Sequence, residues 1–336
     1  TVSGLLWVFM PSIIPSLFPG FSAEVLENTI LLSRIILIQP VFLGLSSIAS
    51  SVIQVMRRFF IYALAPVLYN VGIIFGAIFL YPTLGVQGLG WGVVIGAVFH
   101  MAAQAIPVLG HARHMKVPNF AALRTSMLEV ALPSVPRSLA LWAHQILLLV
   151  FVGIASTANT GTVSALSFAL NLQSVPLSIV GVSYAAALFP ALAALYASKD
   201  IDVFRREVWA SIKHIIFWTV PAIAFIIVLR AQIVRVILGS GEFSWSDTRL
   251  TAAILALFVV SLVSQALILI FSRAYYAAKE TLTPILVNVS GVLLAAAAAY
   301  AGVSWIRDTD FIRYVLESLF RVSEIPGTEI LMVPLA

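Results

Sequence analysis

Apolar residues recur along this chain in runs long enough to cross a bilayer, and that feature leaves few folds open. A hydrocarbon core takes roughly 20 helical residues to span. Apolar segments lie near residues 1–18, 30–55, 60–81, 86–109, 127–154, 162–196, 212–238, 250–272 and 284–305. In lipid each backbone N–H and C=O must be satisfied inside the protein, which a helix does within its own segment. The expected fold class is an all-α polytopic membrane protein. Composition agrees: 61% of residues are apolar and 10% charged, against about a quarter charged in soluble domains.

The charges that remain are placed by side. Arg57 and Arg58, then Arg113, Lys116 and Arg124, then Lys199, Arg205, Arg206 and Lys213, and finally Arg273 and Lys279 fall in alternate connections. The connections between them, such as Tyr81 to Gly88 and Ser156 to Thr162, hold no Lys or Arg. By the positive-inside rule the basic side is cytoplasmic, so the first segment runs outward and residues after about 305 lie outside. Arg235, Arg249, Arg307 and Arg313 on the outer side are mixed with Glu242, Asp247, Asp308 and Asp310. This topology accounts for the net charge of +5, and no basic stripe interleaved with aromatics points to nucleic acid. The sequence has no cysteine, which excludes disulfides, thiolate metal sites and cysteine nucleophiles within it.

An internal repeat is legible. APVLYNVG (Ala65 to Gly72) matches TPILVNVS (Thr283 to Ser290), pairing Pro66 with Pro284 and Asn70 with Asn288; Phe21 and Ser22 likewise match Phe243 and Ser244. Six spans separate the copies in the topology above, so the repeat is parallel, as in two-lobed transporters. The expected organisation is a truncated N-lobe of four membrane helices at 1–110 and an amphipathic linker at 111–125. A C-lobe of five membrane helices, with the start of the next, follows at 126–336. About two helices are expected before residue 1 and at least one after 336.

Among candidate functional residues Arg137 comes first. It lies within ALPSVPRSLALWAHQIL (Ala131 to Leu147), and a charge near mid-span costs about 2.5 to 3.5 kcal/mol on insertion scales. Such a group faces a cavity, or it snorkels or pairs with Glu129. Pro133 and His144 share its helical face. His144 is an ordinary buried histidine, or a second contact if that face lines a cavity. Asn171, Gln173, Ser174 and Pro176 make a polar break that either lines a cavity or accommodates a kink. Pro66 and Pro284 are each expected to remove one helical hydrogen bond, with Asn70 and Asn288 a turn later. These pairs read as hinges or an ion site, or as amides that stitch neighbouring helices. Gly88, Gly92 and Gly96 fall four apart, the spacing of close helix packing rather than of a nucleotide loop. No phosphate loop, HExxH or GxSxG occurs, so no catalytic residue, metal site or cofactor is expected.

GEFSWSDTRLTAAILALF (Gly241 to Phe258), SRAYYAAKETLTP (Ser272 to Pro284), QSVPLSIVGVSYAAALFPALAALYAS (Gln173 to Ser198) and APVLYNVG resemble the MviN/MurJ family, in order and over essentially the whole chain. Those proteins are bacterial lipid II flippases of the multidrug/oligosaccharidyl-lipid/polysaccharide exporter superfamily. The resemblance implies two six-helix lobes around a central cavity in the bacterial inner membrane. It implies an undecaprenyl-linked peptidoglycan precursor as substrate, membrane lipids as surroundings and a monomeric protein. Where family members carry an Asp-Arg pair in the eighth helix, this chain has Leu170 and Asn171, and Arg137 is the substitute cation we infer. Of the family's sodium site only Asn288 has a polar match, which leaves Na⁺ or the membrane potential as the coupling. The alternatives are export of another lipid-linked oligosaccharide, or cation-coupled drug efflux, which needs a cavity carboxylate that these segments scarcely offer.

Overall fold

The computed structural model describes residues 2–110, 145–159, 161–323 and 325–335, the side chains of 307 and 310 excepted. Pro133, Arg137, His144 and the linker expected at 111–125 lie outside the described residues. The chain divides into two compact units, Thr1–Leu128 and Glu129–Ala336. The first holds α1 (Val2–Leu17), α2 (Ala23–Ile36), α3 (Gln39–Val55), α4 (Phe59–Phe75), α5 (Tyr81–Leu84) and α6 (Val86–Leu109), with a π-turn at Gly76–Leu80 joining α4 to α5. The second holds α7 (Gln145–Ser156), α8 (Thr162–Pro176), a π-turn (Leu177–Val182), α9 (Ser183–Ala197), α10 (Ile201–Leu238), α11 (Trp245–Val260), α12 (Leu262–Ala277), α13 (Leu282–Asp308) and α14 (Asp310–Phe320). Thr328–Leu335, where the apolar stretch from Ile330 was expected to begin another span, is a 3-10 turn packed against α11 and α13. Six helical stretches among the described residues are long and apolar enough to cross a membrane, or seven with α11 and α12 as one bent span. The all-helical membrane architecture is as expected.

Helix ends follow local chemistry more than hydropathy. α2 begins at Ala23, ahead of its apolar run, because the Ser22 hydroxyl accepts from the Val25 N–H and Glu24 stands in the first turn. The matching Ser244 forms a capping box with Asp247 at the start of α11, so this part of the sequence repeat is a repeated helix cap. At their other ends α3, α9 and α12 close alike. Arg57, Lys199 and Lys279 take the left-handed conformation. The N–H groups of Arg58, Asp200 and Glu280 reach back to the carbonyls of Ile53, Leu195 and Tyr275, in the Schellman pattern usually closed by glycine. A cation there costs backbone strain but meets the negative end of the helix.

In the first unit the glycines set the helix spacing. A Cβ on Gly72 would fall 2.3 Å from the Gly96 Cα, one on Gly76 2.4 Å from the Gly92 Cα, and one on Gly96 2.4 Å from the Tyr69 carbonyl oxygen. Backbone meets backbone between α4 and α6, which confirms the packing reading of Gly88, Gly92 and Gly96. α3 joins this pair through side chains: Gln39 donates to the Tyr69 hydroxyl of α4, and Ser46 Oγ lies 2.8 Å from His100 Nδ1 of α6.

In the second unit α11 is the centre. Every residue from Leu250 to Val259 is buried, and a helix apolar all round belongs in a protein interior. α8, α10 and the 3-10 turn pack around it. Ala185, Leu192, Ile215, Ala266 and Ile270 form a second cluster joining α9, α10 and α12.

Replacing Gly96 by Ala is expected to destabilise the protein by about 1–3 kcal/mol through overpacking. Gly44→Ala, where nothing lies within 4 Å of the new Cβ, should change stability by about 0.5 kcal/mol or less. Thermal unfolding of both purified variants in detergent checks the contrast.

Candidate functional site

α8 carries two faces of opposite character. Thr162, Ala165, Leu166, Ala169 and Gln173 are buried against α11. Ser164, Ser167, Asn171 and Ser174, spaced three and four apart, share the opposite face. Ser167 is half-buried and the other three are exposed. Two of the hydroxyls satisfy themselves on their own helix, Ser167 to the Val163 carbonyl and Ser174 to the Asn171 carbonyl, at 2.8 and 2.7 Å. The Asn171 side chain makes no hydrogen bond among the described residues and is free to meet a polar ligand or water. This file of small polar groups along a membrane-length helix is the candidate site. Its exposed flank is apolar, with Val175 and Ile179.

Gln173 belongs to the other face. It is 4% exposed and donates from Nε2 to the Phe258 carbonyl at 3.1 Å and to the Ser261 hydroxyl at 3.4 Å. Ser261 stands at the break where α11 and α12 bend by 43°. Its hydroxyl donates to the same Phe258 carbonyl and accepts from Gln265 at 2.7 Å. Expected as a substrate contact, Gln173 is spent here on a bent span, adding its amide to the Phe258 carbonyl that also accepts from the Ser261 N–H. The two polar residues of the expected break, Asn171 and Gln173, therefore point to opposite sides of α8.

Pro176 does not interrupt its span: residues Thr162–Ala197 run as one 36-residue stretch through the π-turn. The Ser183 hydroxyl donates to the Ser178 carbonyl there at 3.0 Å. Such wide turns absorb a missing proline donor and often mark moving parts. Pro66 lies inside α4 and does remove an interior donor. Asn70 donates back to the Pro66 carbonyl at 3.1 Å, so among the described residues its amide serves its own helix and stitches no neighbour. Pro284 corrects the expectation that it costs a hydrogen bond. It is the third residue of α13, where N–H groups have no helical partner in any case. The Glu280 carboxylate accepts instead from the Leu282 and Thr283 N–H groups at 3.0 and 3.1 Å. Asn288 is half-buried without a side-chain hydrogen bond among the described residues. α13 packs chiefly on the 3-10 turn and α8 on α11, so the structure does not gather Asn288 with Asn171.

Arg34 is not among the residues expected from the sequence. Its guanidinium carbon lies 4.5 Å from the centre of the Trp7 ring, and its Nε donates to the Trp7 carbonyl at 3.2 Å. An arginine inside the apolar run from 30 to 55 was the available signal. Among the described residues no group of three or more His, Cys, Asp or Glu could hold a metal ion.

Comparison with known proteins places these features in a family. The family model described as "Lipid II flippase MurJ" matches residues 1–308. The protein named "Probable lipid II flippase MurJ" in Buchnera aphidicola is 28% identical over 292 residues, which cover 85% of this chain and 57% of that protein. "Lipid II flippase MurJ" of Burkholderia cenocepacia is 26% identical over 269 residues, covering 78% and 52%. The chain thus spans little more than half the length of these relatives. Among solved structures, an inward closed lipid II flippase MurJ matches with a TM-score of 0.72 at 22% identity, covering 99% of this chain and 65% of that one. An inward-facing MATE family transporter of the MOP superfamily matches with a TM-score of 0.76 at 19% identity, covering 99% and 74%. These two show a shared fold.

The two faces of α8 should respond differently to substitution. Asn171→Ala removes no hydrogen bond and should leave stability within about 0.5 kcal/mol. Gln173→Ala withdraws a donor from the α11–α12 break and should cost about 1–3 kcal/mol. Melting temperatures of the purified variants decide it, and equal losses would contradict the assignment.

Proposed function

The chain belongs to the MurJ family of lipid II flippases, and from that premise we propose that its full-length protein moves the undecaprenyl-linked peptidoglycan precursor from the cytoplasmic to the outer leaflet by alternating access. The family match over residues 1–308 carries the reading. The protein is a multi-pass protein of the bacterial inner membrane and, on this reading, a transporter with no catalytic step.

The physical problem is a diphosphate-sugar headgroup that hydrocarbon cannot solvate. The polar face of α8 offers hydroxyls and the free Asn171 amide in file, so hydrogen bonds lost to water can be replaced one after another. The prenyl chain, as apolar as lipid, stays in the bilayer. Small side chains suit a passage for a bulky headgroup. Asn171 supplies no charge, and Arg137 in this proposal supplies it, with His144, seven residues on in the sequence, as a second contact. A guanidinium binds phosphate oxygens in bidentate fashion. The π-turn beyond Pro176 and the Gln173-clamped break between α11 and α12 are the joints at which the second unit bends. Na⁺ at Asn288, or the membrane potential, drives the cycle, and the protein acts as a monomer.

Complementation of flippase-depleted cells by full-length variants, read beside membrane abundance, tests this. Arg137→Ala should keep normal abundance and lose about tenfold or more in transport, the scale of a charge-assisted hydrogen bond. Arg137→Lys should rescue in part, because it keeps the charge without the planar fork. Arg137→Glu should be worst. Normal growth of the Glu variant at normal abundance would end the headgroup role.

A further inference from the structure

The face of α6 that packs on α4 changes character halfway along its length. Gly88, Gly92 and Gly96 meet the backbone of α4 and its π-turn, and His100 and Gln104 continue the same column at four-residue steps. Where glycine gives way to these longer side chains, α3 packs beside them. Ser46 Oγ of α3, fully buried, lies 2.8 Å from His100 Nδ1 and donates to the His100 carbonyl at 3.4 Å. The Tyr69 ring of α4 stands perpendicular to the imidazole, with ring centres 6.5 Å apart. One turn beyond His100, Gln104 is 1% exposed, and its Oε1 has no hydrogen-bond partner among the described residues.

An acceptor left over in a buried position is uncommon and calls for a donor. α3, α4 and α6 carry no charged residue that could supply one. α2, which holds Glu24, Glu27 and Arg34, meets α6 at Gly90 through Leu32 and Ile35, ten residues before His100. From α4 the titratable group against the imidazole is Tyr69, whose hydroxyl is turned to Gln39. The group with capacity to spare is His100 itself, since a neutral imidazole has one N–H and a charged one has two. With both nitrogens protonated, Nδ1–H donates to Ser46 Oγ while the Ser46 hydrogen goes to the His100 carbonyl. The Nε2–H is then left for Gln104, four residues on along the same face. Burial opposes the added charge, and two acceptors aligned with the imidazole offset that opposition.

We propose that Ser46, His100 and Gln104 form a proton-binding site inside the first unit. The proton adds to the free nitrogen of the imidazole, and no covalent bond breaks. It gives an ionisable group to three helices that otherwise have no charge, and it draws α3 and α6 onto one imidazolium. The site does not rest on the transport reading, because Ser46 and Gln104 are already buried by the packing of the first unit itself.

Nitrogen NMR of the full-length protein in lipid nanodiscs, labelled at histidine and titrated from about pH 8 to about pH 5, measures proton binding directly, with His100→Gln identifying the signal. His100 should pass from one N–H to two within that range. Gln104→Leu should weaken proton binding about tenfold, the scale of one hydrogen bond to a charged group, and Gln104→Glu should strengthen it about tenfold or more. Ser46→Ala should weaken it as well. A His100 that keeps a single N–H throughout the titration would overturn the proposal and leave the Gln104 carbonyl to a buried water. Proton binding that neither Gln104 variant alters would overturn it too, since His100 would then act alone. The Leu and Glu variants act in opposite directions, so if melting temperatures show that one of them is misfolded, the other decides.

Discussion

Backbone groups inside a membrane protein must be satisfied from within it, and where these helices bend, polar side chains add bonds to the carbonyls at the bend. In the second unit the Phe258 carbonyl, at the bend between α11 and α12, accepts from the Ser261 N–H, the Ser261 hydroxyl and Gln173, and Gln265 donates to the Ser261 hydroxyl. At the π-turn after Pro176 the Ser178 carbonyl accepts from both the N–H and the hydroxyl of Ser183. In the first unit the Asn70 side chain donates to the Pro66 carbonyl, one turn from the Tyr62 carbonyl that Pro66 leaves without its helical donor. At the first two places the side chains hold a bent span to its own backbone.

That economy separates two uses of polar residues that look alike in a sequence. Those on the buried side of α8 hold the unit together; those on the opposite side have no structural employment beyond their own helix. A membrane helix that keeps Asn171 and three serines on an exposed face does so against the preference of lipid. The proposed headgroup path is where that preference is reversed. Likewise the glycines of α4 and α6 fix a close contact, while the left-handed cations after α3, α9 and α12 close those helix ends.

The long apolar runs made the membrane helices legible, because hydropathy reports the one requirement that lipid imposes everywhere. The four-residue glycine spacing was legible for the same reason, since only backbone contact uses it. Helix ends were not: α2 begins seven residues ahead of the apolar run marked from 30 because Ser22 and Glu24 cap it. Gln173 and Asn171, two residues apart, could not be assigned to faces without knowing where α11 lies. Pro284 looked equivalent to Pro66 until the helix start beneath it was placed. Arg34 was hidden by the length of the run around it, although its charge was the clue. Arg137 and His144, the first residues the sequence suggests, lie outside the described residues, so their roles rest on the sequence and the family.

The central claim is that the polar face of α8 lines a water-filled path. The natural absence of cysteine from this sequence permits single thiols at Asn171, at Ser174 and, as a lipid-facing reference, at Val228, which is 71% exposed on α10. Reaction with a small hydrophilic maleimide in intact membranes is the measurement. The account predicts fast labelling at Asn171 and Ser174, slowed by added lipid-linked precursor, and none at Val228. Labelling at Asn171 and Ser174 as slow as at Val228 would contradict it.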